Sequence, residues 1–418
     1  AIPFHEAIPE TSFLDAYFEM VSSFTTTGAT LYPTEQLSDT LHLWRAQVAW
    51  MGGLVIWIAA AAVLAPLSLG GFEVTARGQP GRGETTPLPT EESDPRRRLL
   101  KTSVTLIPIY TGLTLALWIL LMMSGEKSLV ALCHSMSVMA TSGISPVGGL
   151  EGAGAGFAGE ALLFMFMFFA LSRLTFSNDT STMGMGRLEK DPEFRTGILL
   201  VFGLPALLFL RHWVASLEVD SPQDAETALR ALWGSIFTVM SFLTTTGFES
   251  ADWEQARRWS GLGTPGLILM GLSVIGGGVA TTAGGVKLLR VFALYMQGRQ
   301  EMDRLVHPSS VGGIQKLDRI QGNGTLIAWV FFMLFALSIA VISLALSALG
   351  VSFDHAMVLS IATLSTTGPL IGIAAETPIR LVELDALAKG VLCLAMVLGR
   401  LETLAIIALF TPDLWRSR

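Results

Sequence analysis

FLTTTGFES, residues 242–250, runs an apolar segment into three threonines and a glycine. Working outward, the ending that closes on Gly247 recurs three times: TTTG closes on Gly28, ATSG on Gly143 and STTG on Gly368. The four glycines are spaced by 115, 104 and 121 residues. Such intervals are far longer than a solenoid period. They suit a unit of outer helix, pore helix, turn and inner helix. The segments leading into the turns are 12–24, 126–140, 222–243 and 353–364. Most hold about 12–15 residues, so as helices they reach only about 20 Å. A hydrocarbon core is about 30 Å thick, so they enter the membrane and turn back. Re-entrant backbone is tolerated at that depth only where protein buries it or water wets it.

Composition places the chain in a bilayer. Its 418 residues are 51% hydrophobic and only 15% charged, too apolar for a soluble domain. Apolar blocks of spanning length lie at 46–69, 99–123, 196–217, 325–349 and 384–410. Two less uniform blocks lie at 159–176 and 261–297. Seven crossings are expected. Basic residues such as Arg96, Arg97, Arg98, Lys101, Arg187, Lys190, Arg299, Arg304, Lys316 and Arg319 gather in the segments that join one unit to the next. That side, with the C-terminus, is expected to be cytoplasmic. The turns then face an acidic exterior, which raises the local cation concentration. The expected location is the cell inner (plasma) membrane, with many passes.

The fold expected is an all-α membrane protein of four pseudo-symmetric helix–pore-helix–filter–helix repeats around one central pore. Residues 1–72 form a partial first repeat, 73–98 a cytoplasmic linker, and 99–195 the second repeat. Residues 196–324 form the third, with a broken inner helix and a cytoplasmic connection over 298–324, and 325–418 form the fourth. Only Ala1–Thr11 precede the first pore-helix segment. The first repeat therefore lacks its outer helix, and the chain is expected to be a fragment of a longer one. Ser221, Pro222 and Asp224 give the third pore helix a start signal. The stretch 148–159 (GGLEGAGAGFAG) reads as a flexible outer loop.

Four such turns around one axis form a ring of backbone carbonyls, which replaces the hydration shell of a potassium ion. Glycine permits the dihedrals that turn carbonyls inward, and a pore helix aims its negative C-terminus at the cavity. The expected filter residues are Thr26, Thr27 and Gly28; Ser142 and Gly143; Thr245, Thr246 and Gly247; Thr366, Thr367 and Gly368. Below them, Gly276, Gly277, Gly278, Gly284 and Gly285, with Thr281 and Thr282, interrupt the third inner helix. So many glycines disfavour a helix, and a flexible loop acting as a gate is expected there. Lys287 and Arg290 then mark its cytoplasmic end. Arg400 sits inside an apolar run, too deep to reach the surface easily, and charges so placed face a cavity or a partner. It is expected to act as a barrier with the loop. Glu402 is the alternative, a structural ion-pair partner.

These motifs resemble the Trk/Ktr/HKT superfamily of potassium transporters, and within it the bacterial TrkH/TrkG type of membrane subunit. The resemblance covers nearly the whole chain. It rests on FTTTGAT (24–30), LWRAQVAWMGGLVI (43–56), ATSGISPVGG (140–149), FLTTTGFES, IGGGVATTAGGVKLLR (275–290), LSTTGPLIG (364–372) and GRLE (399–402). It implies potassium as the transported ion, a homodimer, and cytoplasmic nucleotide-binding regulatory subunits. Glycine in all four filters implies potassium rather than sodium selectivity. Ser142 departs from the threonine of the other turns while keeping a hydroxyl.

No cofactor and no nucleic-acid partner are expected. Channel-like and ion-coupled modes both remain open. A sodium-selective or unselective cation pathway of the same fold is the alternative. An intramembrane enzyme is a remote one, because Asp179 and Asp354 lie only near segment ends with no fitting histidine partner. Cys133 and Cys393 read as small buried hydrophobes. The six histidines lack metal-ligand spacing.

Overall fold

The structure, a computed structural model, describes residues 1–8, 11–64, 95–172, 191–216, 225–260, 265–306, 323–375 and 377–401. Most of the 73–98 linker, most of the 298–324 connection, Ser221, Pro222, Asp179 and Glu402 lie outside the described residues. What is described is helical, with no strand among the described residues.

In chain order the helices are α1 (Ile2–Ala7), α2 (Phe13–Phe24), α3 (Asp39–Ala59), α4 (Pro95–Met123), α5 (Ser128–Ala140), α6 (Gly156–Met167), α7 (Pro192–Ser216) and α8 (Ala225–Leu243). They continue as α9 (Trp253–Ser260), α10 (Gly266–Ile275), α11 (Leu288–Val306), α12 (Asn323–Ala348), α13 (Phe353–Leu364), α14 (Leu370–Ala374) and α15 (Ala386–Leu401). The pore helices α2, α5 and α13 are 12, 13 and 12 residues long. At 1.5 Å per residue they span about 18–20 Å, too little to cross. The third, α8, is longer at 19 residues.

Packing closes these elements into a ring. Each inner helix lies between its own pore helix and that of the next repeat: α3 between α2 and α5, α6 between α5 and α8, α10 between α8 and α13. The last, α15, packs on α13 and returns to α2. The outer helices α4, α7 and α12 each pack on their own pore helix, α5, α8 and α13. A part-buried ion pair, Lys389 Nζ to Asp15 Oδ1 at 2.6 Å, joins α15 to α2 where chain connectivity does not. Asp15 also sits in the first turn of α2, behind an N-cap in which its amide donates to the Ser12 hydroxyl. An acid there suits the helix dipole.

The expected crossings are described in part, and one other expectation changes. Seven crossings were expected from the apolar blocks. Among the described residues four helical stretches are long and apolar enough: Asp39–Ala62, Arg96–Met123, Pro192–Leu210 and Gly324–Ala348. The second inner helix is short, the third is divided into α10 and α11, and the description of the fourth stops at Leu401. The outer loop 148–159 is only partly a loop, since α6 starts at Gly156. The Glu126 carboxylate accepts the amides of Gly154 and Ala155 just before that helix, both at 3.1 Å. An apolar face on the membrane side covers the ring, with Leu199, Leu207, Leu326, Leu337 and Leu344 exposed as lipid-facing side chains.

Close approach sets the inner-helix glycines. A methyl on Gly399 would fall on the carbonyl of Leu364, the last residue of α13, and one on Gly52 would fall on that of Phe24, the last of α2. Gly390, on the same helix as Gly399, faces open space. Gly399→Ala is therefore expected to lower the unfolding temperature in detergent. Gly390→Ala should raise it, through a helix-propensity gain of about 1 kcal/mol. The same sign for both would remove this account of the packing.

Candidate functional site

The four turns are built alike. Each pore helix ends with a threonine in the left-handed region: Thr26 (φ 56°), Thr141 (53°), Thr245 (57°) and Thr366 (54°). Its amide donates three residues back, to Ser23, Val138, Phe242 and Thr363. The next amide reaches five residues back, from Thr27 to Ser22, Ser142 to Ser137, Thr246 to Ser241 and Thr367 to Ala362, at 2.8–2.9 Å. This pair of bonds is the Schellman arrangement, which satisfies the last carbonyls of a helix and normally uses glycine at the left-handed position. A β-branched residue there is an outlier, and such backbone costs of order 1–3 kcal/mol. Four repetitions of one costly choice indicate that the hydroxyl matters. The sequence-based selection included Thr26, Thr245 and Thr366 but missed Thr141. The signal was present, since all four share the same offset from the glycine.

The glycines follow two residues later, and each faces the next repeat. A methyl on Gly28 would fall on the Ser142 carbonyl oxygen, and one on Gly143 on that of Thr246. One on Gly247 would meet Pro369, and one on Gly368 the Ala29 amide. The carbonyls of Thr27, Ser142 and Thr246, which precede three of the glycines, thus each lie against the glycine of a neighbouring turn. The fourth turn differs from the expected equivalence. Gly28, Gly143 and Gly247 have positive φ (75°, 64° and 83°) and Gly368 does not. Pro369 is the reason, because a residue before proline is held in extended conformations. The Gly368 amide donates to the Thr27 carbonyl at 2.6 Å, and the carbonyls of Thr367 and Gly368 accept from Leu370 and Ile371 at the start of α14.

Behind the turns stand buried polar groups that sequence reasoning did not single out. Glu19, fully buried on α2, accepts from the Leu31 amide at 2.5 Å and the Thr30 hydroxyl at 2.8 Å. Its other oxygen lies 2.9 Å from Arg45 Nε on α3. In the second repeat His134 Nε2 lies 2.9 Å from the Ser145 hydroxyl. In the third, Glu160 reaches across from α6 to Trp233, the Ser250 hydroxyl and the Ala251 amide at 2.7–2.8 Å. These contacts join residues far apart in sequence, so no local motif announces them. Glu249 is half-buried two residues beyond Gly247. Burial, then Glu254 and Glu151, push its carboxyl up to about 7, against the pull of Arg257.

The Gly-rich segment 276–287 is a loop between α10 and α11, and it lies against the inner side of the turns. The Thr282 carbonyl accepts from the Thr141 hydroxyl at 2.8 Å and from Arg400 Nη1 at 2.6 Å. The Thr282 hydroxyl donates to the Met139 carbonyl at 3.0 Å, and the Gly284 amide donates to the Thr245 hydroxyl at 2.7 Å. A methyl on Gly284 would strike the Ser365 carbonyl and the Thr366 hydroxyl. Thr281 closes on the Gly278 carbonyl at 2.7 Å. Within the loop, Gly276 and Gly285 have positive φ and face each other across its neck. Gly277 lies against the carbonyl of Ala170. A cavity of about 20 Å³, enough for one water-sized group, separates the loop from α3 and is lined by Ile56, Ala60, Ala280, Lys287 and Arg400. Lys287 and Arg290, expected to mark the cytoplasmic end of the loop, are buried. Lys287 Nζ folds back onto the Ala283 carbonyl. The Arg290 guanidinium stacks 3.7 Å from the Phe331 ring centroid and bonds the Val286 carbonyl.

The chain is similar to known proteins over most of its length. A family profile, TrkH, described as a cation transport protein, matches residues 161–417. The Trk system potassium uptake protein TrkH of Salmonella typhimurium (strain LT2) is 32% identical, with 100% of this chain and 83% of the relative aligned. That of Vibrio parahaemolyticus is 33% identical, over 98% and 81% of the two chains. TrkG of Escherichia coli K12 is 29% identical over 97% and 80%. The crystal structure of the potassium transporter TrkH from Vibrio parahaemolyticus superposes with a TM-score of 0.74 at 29% identity, covering 98% of this chain and 80% of that one.

The buried Glu19–Arg45 pair gives a stability test. Arg45→Met leaves a carboxylate unpaired in the interior, which costs about 3–5 kcal/mol. The exposed pair of Arg230 and Glu226 is worth less than about 1 kcal/mol. In detergent, Arg45→Met should lower the unfolding temperature well beyond Arg230→Met. Equal shifts would show that Glu19 does not depend on Arg45.

Proposed function

The chain belongs to the TrkH family of cation transport proteins, and we propose that it takes up potassium through the ring of four turns. The observation that carries this reading is the repeated left-handed threonine turn. In each, consecutive amides are bonded back into the pore helix, while the carbonyls before Gly28, Gly143 and Gly247 lie against the neighbouring turn. Donors are satisfied and acceptors are gathered, which suits a dehydrated cation and no anion. Thr26, Thr27, Gly28, Ser142, Gly143, Thr245, Thr246, Gly247, Thr366, Thr367 and Gly368 then supply the filter, with Thr141 added to them. The fourth turn contributes fewer uncommitted carbonyls than the others.

The loop 276–287 and Arg400 form the gate in this reading. A guanidinium 4 Å from a potassium ion repels it by about 4 kcal/mol at an effective dielectric of about 20, roughly a thousandfold in rate. The Thr282 carbonyl on Arg400 reduces that figure. The protein transports rather than catalyses. It works as a homodimer in the inner membrane with a cytoplasmic C-terminus, under control of separate nucleotide-binding subunits. Family membership and the basic side of the chain support these last points.

Flux into proteoliposomes carrying the complete chain tests filter and gate together. Gly28→Ser should weaken discrimination of potassium against sodium, because a side chain there displaces the Ser142 carbonyl. Arg400→Ala should raise potassium flux and leave selectivity nearly intact. Unchanged selectivity in folded Gly28→Ser counts against the filter, and unchanged flux in folded Arg400→Ala makes Arg400 structural. Comparable potassium and sodium flux in the parent would favour the unselective pathway. Applying and removing a proton gradient distinguishes coupled from channel-like transport.

Native mass in detergent checks the assembly. Twice the chain mass is expected for the complete protein, and a single-chain mass counts against the dimer. ATP and NADH should bind only when a nucleotide-binding partner is present. Tight binding by the purified chain alone would end that division of labour.

A further inference from the structure

The loop 276–287 is closed at its base by its own backbone. The amides of Val286, Lys287 and Leu288 donate to the carbonyls of Val274, Ile275 and Gly277 at 2.8–2.9 Å. That neck leaves the tip to be held by other elements. Towards the turns the holders are the hydroxyls of Thr141 and Thr245, the Met139 carbonyl and Arg400. On a different side, the Gly278 amide donates to the Ala170 carbonyl at 2.9 Å, and the Val279 amide donates to Glu193 Oε1, also at 2.9 Å.

Glu193 is 1% exposed and brings a carboxylate to a tip whose other holders named here are neutral or cationic. Local sequence fixes its position. Asp191 caps the start of α7: its carboxylate accepts from the Glu193 amide at 3.3 Å, and Pro192 occupies the first turn. The second oxygen of Asp191 accepts from the Ser172 hydroxyl at 2.5 Å. Ser172 follows directly on Ala170 and Leu171, whose carbonyls lie against Gly277 and Gly278. The end of the second inner helix, the start of α7 and the tip of the loop therefore meet at one buried point. Residues 173–190 join the first two along the chain.

We infer that Glu193 is a positioning residue that latches the tip of the loop, through the Val279 amide, to the start of α7. A carboxylate on a buried amide is among the stronger hydrogen bonds, and loss of its acceptor strands the amide. The latch places the loop under the control of the segment that carries Asp191 and Glu193, on the side of the membrane from which the 173–190 connection runs. Its effect on ion flux rests on the gate reading above; the latch itself does not.

The test uses the complete chain in proteoliposomes, with Cys133 and Cys393 replaced by alanine and Ala280→Cys as a reporter. Ala280 is half-buried beside the small cavity at Arg400. A water-soluble methanethiosulfonate reagent reads how often the tip leaves its seat. Glu193→Ala should speed labelling about tenfold, as expected for one lost charge-assisted bond. Glu193→Gln keeps an acceptor and should stay within about threefold of the parent. Thr196→Ala removes a hydroxyl bond to Pro192 on the same helix and should leave the rate unchanged. If the alanine variant does not fold, Glu193→Met, of similar size and without an acceptor, is read in the same way. A parental rate in the folded acceptor-free variant overturns the latch. So does an equal acceleration in Thr196→Ala, which would show general loosening. Faster labelling with parental potassium flux supports the latch and removes the gate role from the loop.

Discussion

A helix that stops inside a bilayer exposes amides and carbonyls that no solvent will satisfy. The centre of this protein is organised around that constraint. Each pore helix ends by folding two consecutive amides back onto its own last turn, as Thr26 and Thr27 do onto Ser23 and Ser22. The donors are used locally, and the Ser142 and Thr246 carbonyls beyond them lie against the glycine of the neighbouring turn, while the Thr27 carbonyl takes the Gly368 amide. The inner helices can approach closely enough to seal this arrangement because Gly52 and Gly399 present no side chain to the ends of α2 and α13. Even the loop beneath obeys the rule, since its polar backbone is taken up by the Thr141 and Thr245 hydroxyls, the Ala170 carbonyl, Arg400 and Glu193.

The ring is regular at the turns and irregular behind them. A carboxylate of its own pore helix supports the first turn, a histidine–serine contact the second, and a carboxylate from the preceding repeat the third. The fourth is fixed by Pro369 and the short helix that follows it. That same turn meets the first at the seam, where the Gly368 amide touches the Thr27 carbonyl and Lys389 pairs with Asp15. Chain connectivity holds the other three junctions together; here side chains and one backbone bond do so.

Much of this was legible in the sequence, for reasons that can be named. Short segments ending in Thr/Ser-Gly, too short to cross, fixed the re-entrant reading before any coordinates. Five glycines around Thr281 and Thr282 excluded a continuous helix. Thr141 was legible only through the threonine offset from the glycine shared by all four turns, since its neighbour Ser142 breaks the run of threonines found in the other three. The altered geometry of Gly368 was readable from Pro369, since the residue before a proline has a restricted backbone. Glu19, Glu160 and Glu193 were not legible. Glu160 and Glu193 act on backbone 91 and 86 residues along the chain and Glu19 on backbone 12 residues along, and a lone glutamate beside an apolar run has no local pattern to mark it. The burial of Lys287 and Arg290 was hidden for the same reason, because the Phe331 ring that stacks on Arg290 comes from α12.

The different supports behind the four turns have an evolutionary consequence. In a tetramer of identical chains, any mutation near the axis is copied four times, and a change tolerable once becomes intolerable in quadruplicate. Here each quadrant is encoded separately. A substitution near Glu19 alters the support of one turn, and the other three turns keep their own supports while selection acts on the first. Drift at one position can therefore be followed by adjustment at another. The single-chain ring can change one turn at a time, a step that a symmetric assembly must take at all four places at once.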